Sequence, residues 1–152
     1  MAALTASSGM LIRRPVAVVR EAFLDPAQTT RFWFTDSTGR LEPGAELQWT
    51  WGMYGASTKL RVKAVEAARI LIEWDIDTAP SEAEWTFTPR GDHCFVEVVN
   101  RLADDDVAKA LDATQGFALV MAAAKVWLEQ GVPPLIIEDR HPDYRVEGWA
   151  GR

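Results

Sequence analysis

The sequence predicts a two-layer α+β domain, an antiparallel sheet packed against one long helix, and three observations predict it. Residues 45–102 carry five runs in which apolar and polar side chains alternate, joined by connections too short to hold crossover helices. Residues 103–131 return to a period of three to four, the signature of an amphipathic helix. The chain has 152 residues, enough for one substantial core and too few for two comfortable ones. One apolar sheet face and one apolar helix stripe then have to bury each other.

The elements follow in order. Residues 1–8 are small and polar and read as loose, and "GMLIRR" (9–14) reads as a short first strand. Pro15 suits the first turn of a helix, where its missing N–H costs little. Val16, Val19, Ala22 and Phe23 fall on one face of that helix, and Asp25-Pro26 stops it. "AQTTRFWF" (27–34) reads as a second short helix ending in an aromatic cluster, and "DSTGRLEPG" (36–44) as turn.

The first strand of the alternating block, 45–52, puts Leu47, Trp49 and Trp51 on one face. The next, 57–67, points Lys59, Arg61 and Lys63 out and Leu60 and Val62 in, with a phase break at Ala64-Val65 that marks a bulge. The run 69–77 places Ile70, Ile72, Trp74 and Ile76 together, and 81–89 does the same with Ala83, Trp85 and Phe87. "PRGDH" is a hairpin turn, after which Cys94, Val96, Val98 and Asn100 share the inner face. Asp104–Asp106 suit a helix N-terminus, and Gly116 marks a restart of the helix. Phe117, Val120, Met121, Ala124, Trp127 and Leu128 form its stripe, and Gly131 with Pro133 end it. The expected organisation is one domain over residues 9–131 and an irregular tail, 132–152, docked through Leu135, Ile136, Ile137, Tyr144 and Trp149.

Composition excludes several classes. Hydrophobic residues make up 48% and charged residues 25%, the mix of a globular protein rather than a disordered one. A net charge of −6 without a Lys/Arg cluster argues against a nucleic-acid partner. The lone Cys94 rules out an intramolecular disulfide and a cysteine-based metal site. The opening "MAALTASSGMLIRR" does not read as a secretory signal, and no run approaches the ~18 apolar residues of a membrane span. The expected location is cytoplasmic.

Four stretches resemble a known family. "IRRPVAVVREAFLDPAQTTRFW" is similar to its apolar-strand, Pro, helix, Asp-Pro, short-helix, Trp opening. "GRLEPGAELQW" resembles its glycine-framed entry into the sheet, "EWTFTPRGDHCFVEVVNRL" its central hairpin, and "GFALVMAAAKVWLEQG" its closing helix. The family is the START/Bet v 1-like superfamily, in the branch related to the C-terminal domain of the Hsp90 ATPase activator. The resemblance implies a helix-grip fold: a curved six-stranded antiparallel sheet wrapped around a long C-terminal helix, with two short helices after the first strand and a cavity in between. It leaves function open, since one fold hosts ligand carriers, cyclases, hydratases and co-chaperone domains. Where the family often carries His in the hairpin, this chain has Asn100.

The inward alternation supplies the walls of such a cavity: Trp49, Trp51, Trp74, Trp85, Phe87, Phe117 and Met121, with Tyr54, Asn100 and the indole N–H groups as polar handles. Trp33 ends the second helix and reads as structural; the resemblance implies that it seats that helix against the sheet. No catalytic constellation stands out. His93 reads as a solvated turn residue, and Glu138, Asp139 and Asp143 around His141 as solvated carboxylates rather than metal ligands. Cys94 reads as a small buried hydrophobe without a base to activate it.

The first functional expectation is therefore a module that binds a small hydrophobic ligand, lipid or aromatic, with no cofactor. The second is a protein-interaction domain for a chaperone or a second copy, which expects an exposed apolar patch at Phe32–Phe34 or at Leu135–Ile137. The third is a polyketide cyclase-like or hydratase-like enzyme, which needs an ionisable group inside the cavity.

Overall fold

The computed structural model describes residues 3–152. Its elements are β1 (Thr5–Ile12), α1 (Val16–Leu24), α2 (Pro26–Thr29), β2 (Asp36–Ser37), β3 (Glu46–Trp51), β4 (Ala56–Glu66), β5 (Arg69–Trp74), β6 (Ser81–Arg90), β7 (His93–Arg101), α3 (Val107–Gln130) and α4 (Ile136–Arg140). Single helical turns add Gly52–Tyr54 and Pro142–Tyr144. The strands form one antiparallel sheet in the order β1-β7-β6-β5-β4-β3-β2. This is the helix-grip class, with seven strands where the sequence pattern gave six.

The additional strand is β2, only two residues long, too short to carry a period. It exists because Thr35 N–H and Thr38 N–H reach Thr50 O (2.8 Å) and Gln48 O (3.1 Å) on the outer edge of β3. Nor is the start of the chain loose throughout. Thr5–Ser8 pair with Val98–Arg101 on β7, satisfying the backbone groups of what would otherwise be a bare sheet edge. The residues there are small because α3 passes close by: Ala6 is buried and Ser8 Oγ donates to Thr114 O (3.0 Å). Residues 1 and 2 of the expected loose segment lie outside the described residues.

Three further boundaries moved. The second helix stops at Thr29, not residue 34, because the backbone bonds tighten to an i−3 pattern there (Arg31 N–H to Gln28 O, 2.9 Å; Phe32 N–H to Thr29 O, 3.1 Å) and the following residues turn into the core. Strand β5 stops at Trp74 because Asp75 takes a left-handed conformation (φ 53°), held by Thr58 on the neighbouring strand. The long helix begins at Val107 and runs unbroken through Gly116; Asp106 caps it by accepting from Lys109 N–H (3.2 Å). Gly131 ends it in a left-handed cap, and the bulge falls between Val62 and Ala64.

The inner sheet face, α1 and the α3 stripe form one core. Phe32, Trp33 and Phe34 belong to it and are buried, so they form no exposed patch. On the outer face Phe95 is half-buried, its ring lying across Gly9 of β1, where a Cβ would stand 2.7 Å from the ring. The neighbouring strand covers it. The remaining outer face is a charge lattice; Glu84 accepts from both Arg101 (2.6 Å) and Arg69.

Residues 132–152 dock on the domain, but not through every expected anchor. Ile137 is buried and Trp149 lies on the turn at Gly52, whereas Leu135 and Tyr144 are 59% and 74% exposed. Polar contacts hold the segment instead. The side chains of Glu138 and Arg152 pair at 2.9 Å in a buried position, and Arg152 also donates to Thr30 O (2.6 Å), Trp33 O (2.6 Å) and Phe34 O (3.1 Å). Glu138 is thus not a solvated carboxylate. Among the described residues no helix is long and apolar enough to cross a membrane.

Candidate functional site

A cavity of about 320 Å³ lies between the open end of the sheet, the first half of α3 and the tail. Its sheet side is Trp51 of β3, Tyr54, Ala56 of β4 and Trp74 of β5. Its helix side is Asp112, Ala113, Gly116, Phe117 and Val120. Trp33 forms the floor, and Ile137, Arg140 and His141 close one side of the mouth.

The floor explains which inward residues face this space. The chain after α2 drives Trp33 into the middle of the sheet face, where its ring centroid lies 5.0 Å from Trp49, 6.0 Å from Trp85 and 6.2 Å from Phe117. Phe34 stacks on Trp49 at 4.6 Å and 18°. Phe23 of α1 packs 6.3 Å from Trp85 and 6.1 Å from Phe87. These insertions fill the inner half of the space, so Trp49, Trp85, Phe87 and Met121 are core residues and do not line the cavity. Trp51, Tyr54, Trp74 and Phe117 do line it.

Asn100 faces a different space. A recess of about 140 Å³ adjoins the cavity and shares Trp74, Asp112 and Ala113 with it. Ser81, Asn100, Asp75 and Lys109 are among its walls. Trp74 Nε1 donates to Ser81 Oγ (2.9 Å), and Asn100 Nδ2 donates to Ser81 Oγ (3.0 Å) and Glu82 O (2.8 Å).

The mouth carries the ionisable groups. Arg140 donates to Asp112 (2.7 Å) and to Gln115 Oε1 (3.2 Å). Its guanidinium rests where α3 has no side chain: a Cβ on Gly116 would stand 2.8 Å from Nη1. Gly116 therefore serves this close approach and does not interrupt the helix. Arg140 Nε is buried without a partner. The Tyr54 hydroxyl donates to Ile137 O and accepts from His141 N–H (3.3 Å), so it ties the tail to the sheet and is not a free handle. The His141 ring sits 6.0 Å from that of Tyr54.

Trp33, Gly116, Arg140 and His141 line the cavity although none was among its expected walls. Three lie outside the strand alternation, in the connection after α2 and in the tail, and only a fold puts them opposite β3 and α3. The one sequence signal was Gly116, a glycine inside a strong helical pattern, which often marks a close packing approach. Cys94 is buried on β7, and burial pushes its thiol up to about 11. What the cavity offers is an aromatic wall with a charged rim.

Comparison with known proteins agrees with this architecture. The family model described as Activator of Hsp90 ATPase homolog 1-like protein matches residues 13–129. No curated protein sequence matches the chain. Among solved structures, the protein SSP2350 from Staphylococcus saprophyticus is 26% identical with a TM-score of 0.77, covering 86% of this chain and 96% of that one. The Aha1 dimer from Colwellia psychrerythraea is 12% identical with a TM-score of 0.76, covering 84% and 98%. DynU16, from the dynemicin biosynthetic locus, is 18% identical with a TM-score of 0.78; the match covers 85% of this chain and 48% of that longer one. The last two are likenesses of fold.

Proposed function

The chain belongs to the Activator of Hsp90 ATPase homolog 1-like family over residues 13–129, and from that premise we propose that it is a small-molecule binding module for an apolar, aromatic ligand. One observation carries the reading: a cavity of about 320 Å³ whose walls include Trp33, Trp51, Trp74 and Phe117. Three indoles and a phenyl ring around one space favour a flat ring system, which gains both area burial and ring–ring contact. A ligand burying about 200 Å² of apolar surface gains about 5 kcal/mol before the cost of association is subtracted. The tail closes one side through Ile137, Arg140 and His141, which limits the length of what fits.

The test is a titration with aromatic and acyl compounds, followed by tryptophan fluorescence and melting temperature. Aromatic compounds are expected to quench the indoles and raise the melting temperature. Ala113→Trp, which fills the cavity from α3, is expected to abolish both effects while the protein stays folded. Absence of any response in the unmodified protein would sink the reading.

A further inference from the structure

The recess beside the cavity holds polar groups whose bonding capacity is only partly used. Asn100 is 1% exposed, and its Nδ2 hydrogens go to Ser81 Oγ and Glu82 O. Glu82 O is an acceptor, which fixes the amide with Nδ2 toward it and Oδ1 the other way. Oδ1 accepts from no group among the described residues, and Asn100 lines the recess. Ser81 Oγ receives two hydrogen bonds, from Trp74 Nε1 (2.9 Å) and Asn100 Nδ2 (3.0 Å), which occupies both its lone pairs. Its own proton is left to be donated, and no group among the described residues takes it. The recess thus presents a hydroxyl donor beside an amide acceptor, with Trp74 forming a wall common to recess and cavity.

We infer that Ser81 and Asn100 are the polar end of the ligand site and that they select a neutral hydroxyl on the aromatic ligand, a phenol-type compound. The inference rests on the binding reading above. The ring lies in the cavity against Trp74 and Phe117, and the hydroxyl enters the recess, accepts from Ser81 and donates to Asn100 Oδ1. Charge narrows the class further. Asp75 lines the recess, and the one cation there, Lys109, is already paired with Asp104 at 2.9 Å, so a carboxylate finds no free positive partner. An ammonium group satisfies the acceptors but leaves the Ser81 proton without one. A hydroxyl satisfies both.

The experiment uses isothermal titration of the full chain with four probes: naphthalene, 2-naphthol, 2-naphthoate and 2-naphthylmethylammonium. The expected order puts 2-naphthol about tenfold tighter than naphthalene, the worth of one to two neutral hydrogen bonds, and the two charged probes weaker than 2-naphthol. Ser81→Ala, at a half-buried strand end, is expected to reduce the ratio of the naphthalene to the 2-naphthol dissociation constant from about ten to about one. The Asn100 side-chain amide resonances in a ¹⁵N spectrum are expected to shift with 2-naphthol and not with naphthalene, which tests the same contact without any substitution. Naphthalene binding with no hydroxyl preference overturns this inference alone, as does tightest binding of a charged probe or a preference that survives Ser81→Ala. Failure of all four probes to bind overturns the cavity reading and this inference together.

Discussion

Cys94 and Glu84 show how neighbouring strands give single side chains opposite environments. Cys94 faces the core, where burial disfavours the thiolate and lifts its pKa to about 11. At pH 8 only about one thiol in a thousand is then ionised, and the sulfur is also out of reach. A thiol-specific aromatic disulfide reagent is therefore expected to label the native protein no faster than it unfolds, and to label it within seconds in denaturant. Glu84 faces the outer lattice, where hydrogen bonds from Arg101 and then Arg69 hold its carboxyl below the usual range. A depressed carboxylate stabilises the fold above its unfolded pKa, about 4.3, and the contribution fades as the pH falls through the lowered folded value. Glu84→Gln is accordingly expected to cost about 1 kcal/mol at pH 7 and progressively less below about pH 4, measured by urea unfolding at each pH.

The decisive element is the segment after α3. A tail rich in proline, glycine and charge has little apolar surface to bury, and this one is secured by polar contacts. The Glu138–Arg152 pair is buried, and the guanidinium also caps three carbonyls at the end of α2 and beyond. Removing one partner of a buried pair strands the other charge, which costs about 3 kcal/mol or more. Arg152→Ala is expected to destabilise by about that amount, and Glu138→Gln combined with it to recover part of the loss, as read by a double-mutant cycle in denaturant. The same segment brings Arg140 over Gly116 and His141 beside Tyr54, so loosening it is also expected to weaken aromatic-ligand binding measured by tryptophan fluorescence.

Across the whole molecule, ligand binding and stability are linked. A ligand that binds only the folded chain, at one hundred times its dissociation constant, adds about 2.7 kcal/mol, which raises the melting temperature of a domain this size by roughly 5–10 °C. A calorimetric scan with and without saturating aromatic ligand checks this. Most of the architecture that makes the cavity was legible along the chain. The alternation of β3–β7, the bulge near Ala64, the hairpin at Gly91-Asp92 and the stripe of α3 were all written as local periods, because each of those elements buries one face only. Less legible were the first half of β1 (Thr5–Ser8), made of small residues, and the two-residue β2, which satisfy backbone groups of a neighbour and carry no period of their own.

The candidate site divides along the same line. The period of two already puts Trp49 with Trp51 on one face of β3, Trp74 with Ile70 and Ile72 on one face of β5, and Trp85 with Phe87 on one face of β6. Which of them meet open space follows from the three-dimensional packing alone. Trp33, Phe34 and Phe23 come from outside the meander and fill the space before Trp49, Trp85 and Phe87, leaving Trp51 and Trp74 at the cavity. Which side of a sheet a residue faces is a local property of the backbone. What stands opposite it depends on where distant segments cross, and no local period encodes that distance.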